Sequence, residues 1–506
     1  MKIKINTHHK KIFADTITPV EVYLKIRDIF PNSLLLENSD YMLANNNYSY
    51  ICFNQIGHIK IKDYNVECKF PGGDYESKEL KKGEKVSSII HDYIEKFEID
   101  NSKFKFLNNG MFGFMSHESI KYFDSIEIET KKDFDIPDVY YGLYQNIIAI
   151  SQFNHEAHLF CNTIEKSSNI DTIESILNNK SFSVFDFKKI GNSDSEITDE
   201  EYIEYVNKAK DHCKRGDVFQ LVLSRRYTQK FKGDEFNVYR ALRSINPSPY
   251  LFFFDYGDYK IFGSSPEAQI VINNRKAEIH PIAGTFKRTG NDEKDQITAK
   301  ELAKDPKENS EHIMLVDLAR NDLSRSGNNV KVEKNREIQF YSHVIHLVSK
   351  VTADLKKDIK SYQVVEDTFP AGTLSGAPKH KAMQLIEEYE NISREFYGGA
   401  IWFMGFNGDF NHAIIIRSFL SKNRRLFYQA GAGIVFKSNP DSENQEVYNN
   451  KFSEILESMD IFENDDTTEK ENDEKDDTND QNNPNNNEDE NNEQSSKSSE
   501  DENITQ

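Results

Sequence analysis

The chain predicts an α+β fold built around antiparallel sheet, and three observations lead there. Aromatic and β-branched runs of strand length recur through the first 180 or so residues as hairpin-like neighbours. Helical stretches with recognisable caps interrupt them at irregular intervals. The two kinds of element never settle into the strict alternation that a doubly wound parallel sheet requires.

The opening run MKIKINTHHKKIF lacks the apolar core of a signal peptide. SYICFNQIGHIKI, KFKFLNNGMFGFMS, NIIAISQF and HEAHLFCN each predict a strand, and VSSIIHDYIEKF predicts a helix between the first two. FKKIGNSDSEITDEE reads as a polar linker. Within it Thr198 and Glu201 form a T-x-x-E capping box for a helix that Gly216 can end. DVFQLVLSRRYTQKF and LFFFDYG predict further strands, separated by the turn-rich NPSPY. Asp305 as N-cap and Pro306 at the first helical position open a long amphipathic helix running to Arg325.

Charge divides the chain unevenly. From Glu463 onward it carries 17 acidic residues against three lysines, a net −14 out of −21, with no aromatic and one aliphatic residue. Such a tail cannot bury enough apolar surface to offset its ordering entropy, so it is expected to be disordered. The body shows no basic cluster for nucleic acid and no run of about 18 apolar residues for a membrane. Cys52, Cys68, Cys161 and Cys213 are scattered without disulfide or metal spacing, which points to a reducing cytoplasm. The expected organisation is an N-terminal region (1–185), a catalytic region (195–462) and an acidic tail (463–506).

Glu308 and Glu311 share one face of the predicted long helix, and Glu443 and Glu446 repeat the spacing downstream. Together the pairs could hold a hard divalent ion through oxygen, although first-turn acids also serve as helix caps. Gln429-Ala-Gly-Ala-Gly433 could present backbone N–H groups to an anion, or simply make a tight bend. His346 lies on an apolar stretch as either a buried structural group or a base, and Arg417 could pair at the surface or clamp a carboxylate. Read alone, these groups point to an enzyme with a magnesium-like ion and an anionic substrate.

In order and spacing, GDVFQLVLSRR, NPSPY, GSSPE, HPIAGT, EHIMLVDLARNDL, SHVIHLVS, AGTLSGAPK, YGGA, IIIRS and QAGAGIV resemble the chorismate-utilising enzymes, and among them anthranilate synthase component I. The resemblance implies a large antiparallel β-sandwich flanked by helices, with the active site in a cleft. It implies Mg2+ on Glu311 and Glu446, with Glu308 and Glu443 completing the acidic cluster. Chorismate would meet the backbone of Gly284, Thr285, Gly431, Ala432 and Gly433 and the side chains of Tyr397 and Arg417. His346, Glu308 and Thr373 would be catalytic, Glu308 as the acid for the departing hydroxyl and His346 as the base that removes the C2 proton.

Two positions then select the reaction. Water-adding relatives carry a lysine base at the position of Gln220, and relatives making 4-amino-4-deoxychorismate carry a nucleophilic lysine at that of Ala283. Direct amination at C2 is the consistent choice, with ammonia from a separate glutamine amidotransferase subunit. Asn38, Pro249, Tyr250 and Leu251 match an L-tryptophan feedback site, where relatives carry serine in place of Asn38. Trp402, where relatives have glycine, could crowd the cleft or pack outward, and Asn450 stands where relatives have lysine. The alternatives are a 2-amino-2-deoxyisochorismate synthase and an inactive regulatory paralogue.

Overall fold

The strand Tyr250–Asp255 shows how alternation builds the sheet. Phe252 and Phe254 enter one apolar core with Leu34 and Leu36, while Phe253 between them enters another. There its ring meets Tyr23 at 5.6 Å and Phe236 at 5.0 Å, from the helices Pro19–Arg27 and Phe236–Ile245. Both faces of the strand are therefore buried, and each fully buried Phe contributes roughly 1.5–3 kcal/mol.

This computed structural model describes residues 2–38, 48–81, 83–99, 104, 106–340, 344–448, 452 and 454–459. Asn450 and the acidic tail lie outside them. One antiparallel ladder runs through Phe187–Ser195, Gln220–Gly233, Arg425–Ile434, Ser418–Lys422, Tyr259–Ser265, Tyr250–Asp255, Leu34–Asn38, Ser49–Lys62 and Val139–Ser151. It continues through Gly110–Met115, Ala400–Gly405, Phe410–Ile414, Ala268–Asn273, Lys276–Ile279 and Val344–Leu355. Strands from its two stretches face each other: Tyr250 lies 5.3 Å from Trp402, and Phe114 lies 6.3 Å from Tyr259. The second core fills this space between sheet layers, and helices cover the outer faces.

Two local expectations change. FKKIGNSDS is the edge strand Phe187–Ser195 and not a linker, because Phe187 stacks on Phe231 at 5.4 Å while its polar neighbours face outward. The strand in KFKFLNNGMFGFMS spans only Gly110–Met115. Trp402 neither crowds the cleft nor packs outward; 3% exposed, it fills the space between layers, edge-on to Tyr250. Residues 1–459 form a single unit, and the sheet runs across the expected boundary between the N-terminal and catalytic regions through the pairing of Leu34–Asn38 with Tyr250–Asp255.

Arg394 ties the ladder to its connections. Fully buried, its guanidinium donates to both carboxylate oxygens of Glu390, to Leu374 O at 2.6 Å and to Val222 O at 2.8 Å. Glu390 also accepts from the Ser224 backbone N–H (2.8 Å) and hydroxyl (2.9 Å).

The capping box forms as expected. Glu201 N–H donates to Thr198 Oγ1 at 3.2 Å, Thr198 N–H donates to Glu201 Oε2 at 2.7 Å, and Gly216 closes the helix Asp199–Arg215 at φ 85°. Thr198→Ala should cost about 1 kcal/mol, read as a lower denaturation midpoint with an unchanged slope.

Candidate active site

A cavity of about 890 Å³ opens where the long helix Pro306–Ser326, the strand Arg425–Ile434 and the helix Pro440–Tyr448 approach one another. It gathers residues as far apart in sequence as Gln220 and Ile455. Glu308 and Glu311 line it from the first turns of the long helix, and Glu443 and Glu446 from the other. Asp305 caps the long helix, its Oδ1 accepting the Glu308 N–H at 3.0 Å, so the cap and the cavity carboxylate are separate residues. Among the described residues no three His, Cys, Asp or Glu side chains form a ready metal cluster. The donor set is all oxygen, which fits Mg2+, an ion that keeps several waters and takes few protein carboxylates.

Gly284 turns the wall of the cavity. It sits at φ 68° in a bulge, with Ala283 opposite Leu347 and Thr285 opposite His346. A Cβ there would lie 2.6 Å from Leu302 Cδ1 and 3.1 Å from Glu308 Oε2. Its carbonyl accepts a hydrogen bond from His346 Nδ1 at 3.0 Å. A carbonyl can only accept, so Nδ1 carries the proton and Nε2 is the basic nitrogen. Burial pushes the His346 imidazole down to about 4, against a smaller upward effect of the Gly284 carbonyl, so the ring is neutral at pH 7.

Glu267 is the group the sequence reading passed over. It follows Pro266 at the head of the strand Ala268–Asn273 and lines the cavity. Burial pushes its carboxyl up to about 8, with Thr373 and Arg417 pulling weakly the other way, so it holds a proton at neutral pH. Thr373 Oγ1 lies 3.1 and 3.2 Å from the two Glu267 oxygens, which makes it a positioning partner. The signal was present in GSSPE, an acid set between a proline and an apolar strand.

Arg417 also reaches the cavity, and among the described residues its guanidinium makes no hydrogen bond or ion pair. Burial lowers its affinity for the proton, partly offset by Glu267. A half-buried guanidinium with unused donors is a receptor for a planar carboxylate. Gly431 and Gly433 face the cavity, a Cβ at Gly431 lying 3.0 Å from the Tyr397 hydroxyl. Ala432 between them turns its methyl into the main core, as strand alternation demands. Thr285 contributes its backbone to the adjoining strand Ile282–Lys287. Gln220 lines the floor, and its buried Oε1 has no hydrogen-bond partner among the described residues, a state that costs about 1–3 kcal/mol.

Asn38, Pro249, Tyr250 and Leu251 do not join this cavity. Asn38 pairs with Tyr250 and Glu37 with Leu251 on neighbouring strands, where Trp402 packs against Tyr250.

Residues 44–457 match the model of the chorismate binding enzyme family. The chain is 33% identical to anthranilate synthase component 1 of Aquifex aeolicus, covering 90% of this chain and 94% of that protein. It is 35% identical to the component 1 of Bacillus subtilis, covering 89% and 91%. Anthranilate synthase component I of Streptococcus pneumoniae superposes with a TM-score of 0.70 at 29% identity, over 87% of this chain and 98% of that one. The isochorismate synthase MenF of Escherichia coli shares the fold at TM-score 0.68 and 16% identity, over 90% and 94%.

Gly284→Ala should destabilise the chain by about 1–3 kcal/mol, read by chemical denaturation. The same variant should lose more than about tenfold in turnover, because the His346 hydrogen bond moves with the bulge.

Proposed function

The chain belongs to the chorismate binding enzyme family, and on that premise we propose that it is an anthranilate synthase component I. It converts chorismate and ammonia to anthranilate, pyruvate and water. The observation that carries this reading is the pairing, in one cavity, of a proton-holding Glu267 with a neutral His346 beside the guanidinium of Arg417, which makes no ion pair among the described residues. An acid and a base whose environments push their proton affinities apart suit a reaction that needs both at one pH.

Arg417 takes one carboxylate of chorismate, and the Gly431 and Gly433 backbone lets the ring lie close to the floor strand. Mg2+ held by Glu311 and Glu446, with Glu308 and Glu443 nearby, would neutralise the other carboxylate. Gln220 has no base to activate water, but its unpartnered Oε1 can accept an N–H from ammonia and orient the nitrogen lone pair at C2. As the C2–N bond forms, Glu267 gives its proton to the C4 hydroxyl, which leaves as water. Glu267 takes this role because a general acid must hold a proton at working pH. Nε2 of His346 then removes the C2 proton, the enolpyruvyl C–O bond breaks, and the ring becomes aromatic.

Ala283 offers no nucleophile, which favours direct amination over a route through a covalent ring intermediate. Ammonia comes from a glutamine amidotransferase subunit. We place an L-tryptophan effector at the Asn38–Tyr250 pairing, beside Trp402, and the chain in the cytoplasm. Among the described residues no helix is long and apolar enough to cross a membrane.

The rate at constant free ammonia should follow a bell. Below about 4 His346 is protonated and stops acting as a base; above about 8 Glu267 is ionised and stops acting as an acid. Glu267→Gln should lower kcat by roughly 10²–10⁴ and remove the alkaline limb. An unchanged alkaline limb in that variant would assign the acid elsewhere.

A further inference from the structure

A second cavity, of about 30 Å³, adjoins the first, and Glu267, Thr373 and Leu315 line both. Glu267 therefore stands in the wall between them, one side toward the substrate and the other toward this inner space. The volume holds about two ordered waters. Its remaining polar lining comes from Gln269, Thr368 and Asp322. Gln269 is 3% exposed; its Nε2 donates to Thr368 Oγ1 at 3.0 Å, and its Oε1 has no hydrogen-bond partner among the described residues. Asp322 accepts from Lys379 Nζ at 2.6 Å, and the same ammonium donates to Thr368 O at 2.6 Å. The side chains of Asp322 and Lys379 are 9% and 16% exposed, so the far end of the cavity reaches solvent through Lys379, while Glu267 is partly exposed on its cleft side.

We propose that this cavity is a water-filled proton relay that returns a proton to Glu267 from the Asp322–Lys379 pair while the products still fill the cleft. The inference rests on the general-acid role of Glu267 given above. Each cycle transfers one proton from Glu267 to the departing hydroxyl and leaves a carboxylate. The attacking ammonia nitrogen releases one proton to solvent, so the balance closes if solvent repays Glu267. During turnover the cleft face of Glu267 is occupied by substrate, which leaves the inner face as the open route. Asp322 takes a proton from bulk water and passes it to the nearer cavity water. That water gives one of its own protons to the next, which protonates Glu267; no group keeps an added charge. The unpartnered Gln269 Oε1 accepts from the relay and holds its waters in line. Among the described residues, the charged neighbours acting on Asp322 are Lys379, Arg325 and Asp367, and the one acting on Glu267 is Arg417.

A relay that recharges the acid affects every turnover except the first. Rapid-quench measurement with chorismate, ammonium and Mg2+ separates the two. In Asp322→Asn the first turnover should keep the wild-type rate, because Glu267 starts protonated, and steady-state turnover should fall roughly tenfold with a larger solvent deuterium effect. Gln269→Leu, which keeps the Asp322–Lys379 pair, should show the same pattern more weakly and guards against misfolding of the first variant. Equal slowing of first and later turnovers in both variants would mean a merely structural role and overturn the relay, as would wild-type behaviour in both phases. An inactive wild-type chain would instead refute the proposed function, and an unaffected Glu267→Gln variant the acid assignment.

Discussion

A single buried guanidinium holds the cleft in register. Arg394 is 1% exposed, and its four hydrogen bonds tie Glu390, the floor strand at Val222 and the turn at Leu374 to one point. Val222 and Leu374 both line the cavity, and Tyr397 follows immediately, its N–H bonded to the Arg394 carbonyl at 3.0 Å. Burying an ion pair costs several kcal/mol of hydration per charge, and the mutual attraction does little more than repay it. The return is positional: floor, turn and Tyr397 cannot shift independently. Thr373 sits in that turn, so the orientation of Glu267 depends on the same guanidinium through one further hydrogen bond.

Around that frame burial sets the chemistry. The same desolvation drives Glu267 toward its neutral acid and His346 toward its neutral base, because each loses the charged form. Arg417 stays a cation in the same wall. Four carboxylates also line it from two helices, and Glu308 and Glu443 stand in first turns, where backbone N–H groups favour negative charge. The cavity therefore gathers a cation and a cluster of carboxylates, and a dicarboxylate would be held by Arg417 at one end and, at the acidic end, through a divalent ion that the glutamates would bind.

Much of this was legible in sequence, for reasons that differ from residue to residue. The Thr198 capping box and the Asp305 N-cap are local, so spacing alone placed them. The glutamate pairs were visible as i, i+3 repeats, although only the fold shows that two helices bring them to one cavity. Gln220 and Ala283 were informative through the groups they lack. Glu267, Arg394 and the relay residues were not readable, because their roles arise from burial and from partners far away in sequence, 172 residues for Arg394 to Val222 and 106 for Thr373 to Glu267. Phe187–Ser195 looked like a linker because an edge strand buries only one face, and Phe187 alone marks it. Trp402 was readable as unusual but not as inward-facing, since the receiving space is made by a strand from the opposite layer.

The central claim is that this cleft aminates the ring at C2 and carries the product through to elimination. The most direct measurement incubates the purified chain with chorismate, ammonium and Mg2+ and quantifies every product by chromatography. The account predicts anthranilate and pyruvate in equal amounts. Isochorismate, 4-amino-4-deoxychorismate or an accumulating non-aromatic amine would contradict it.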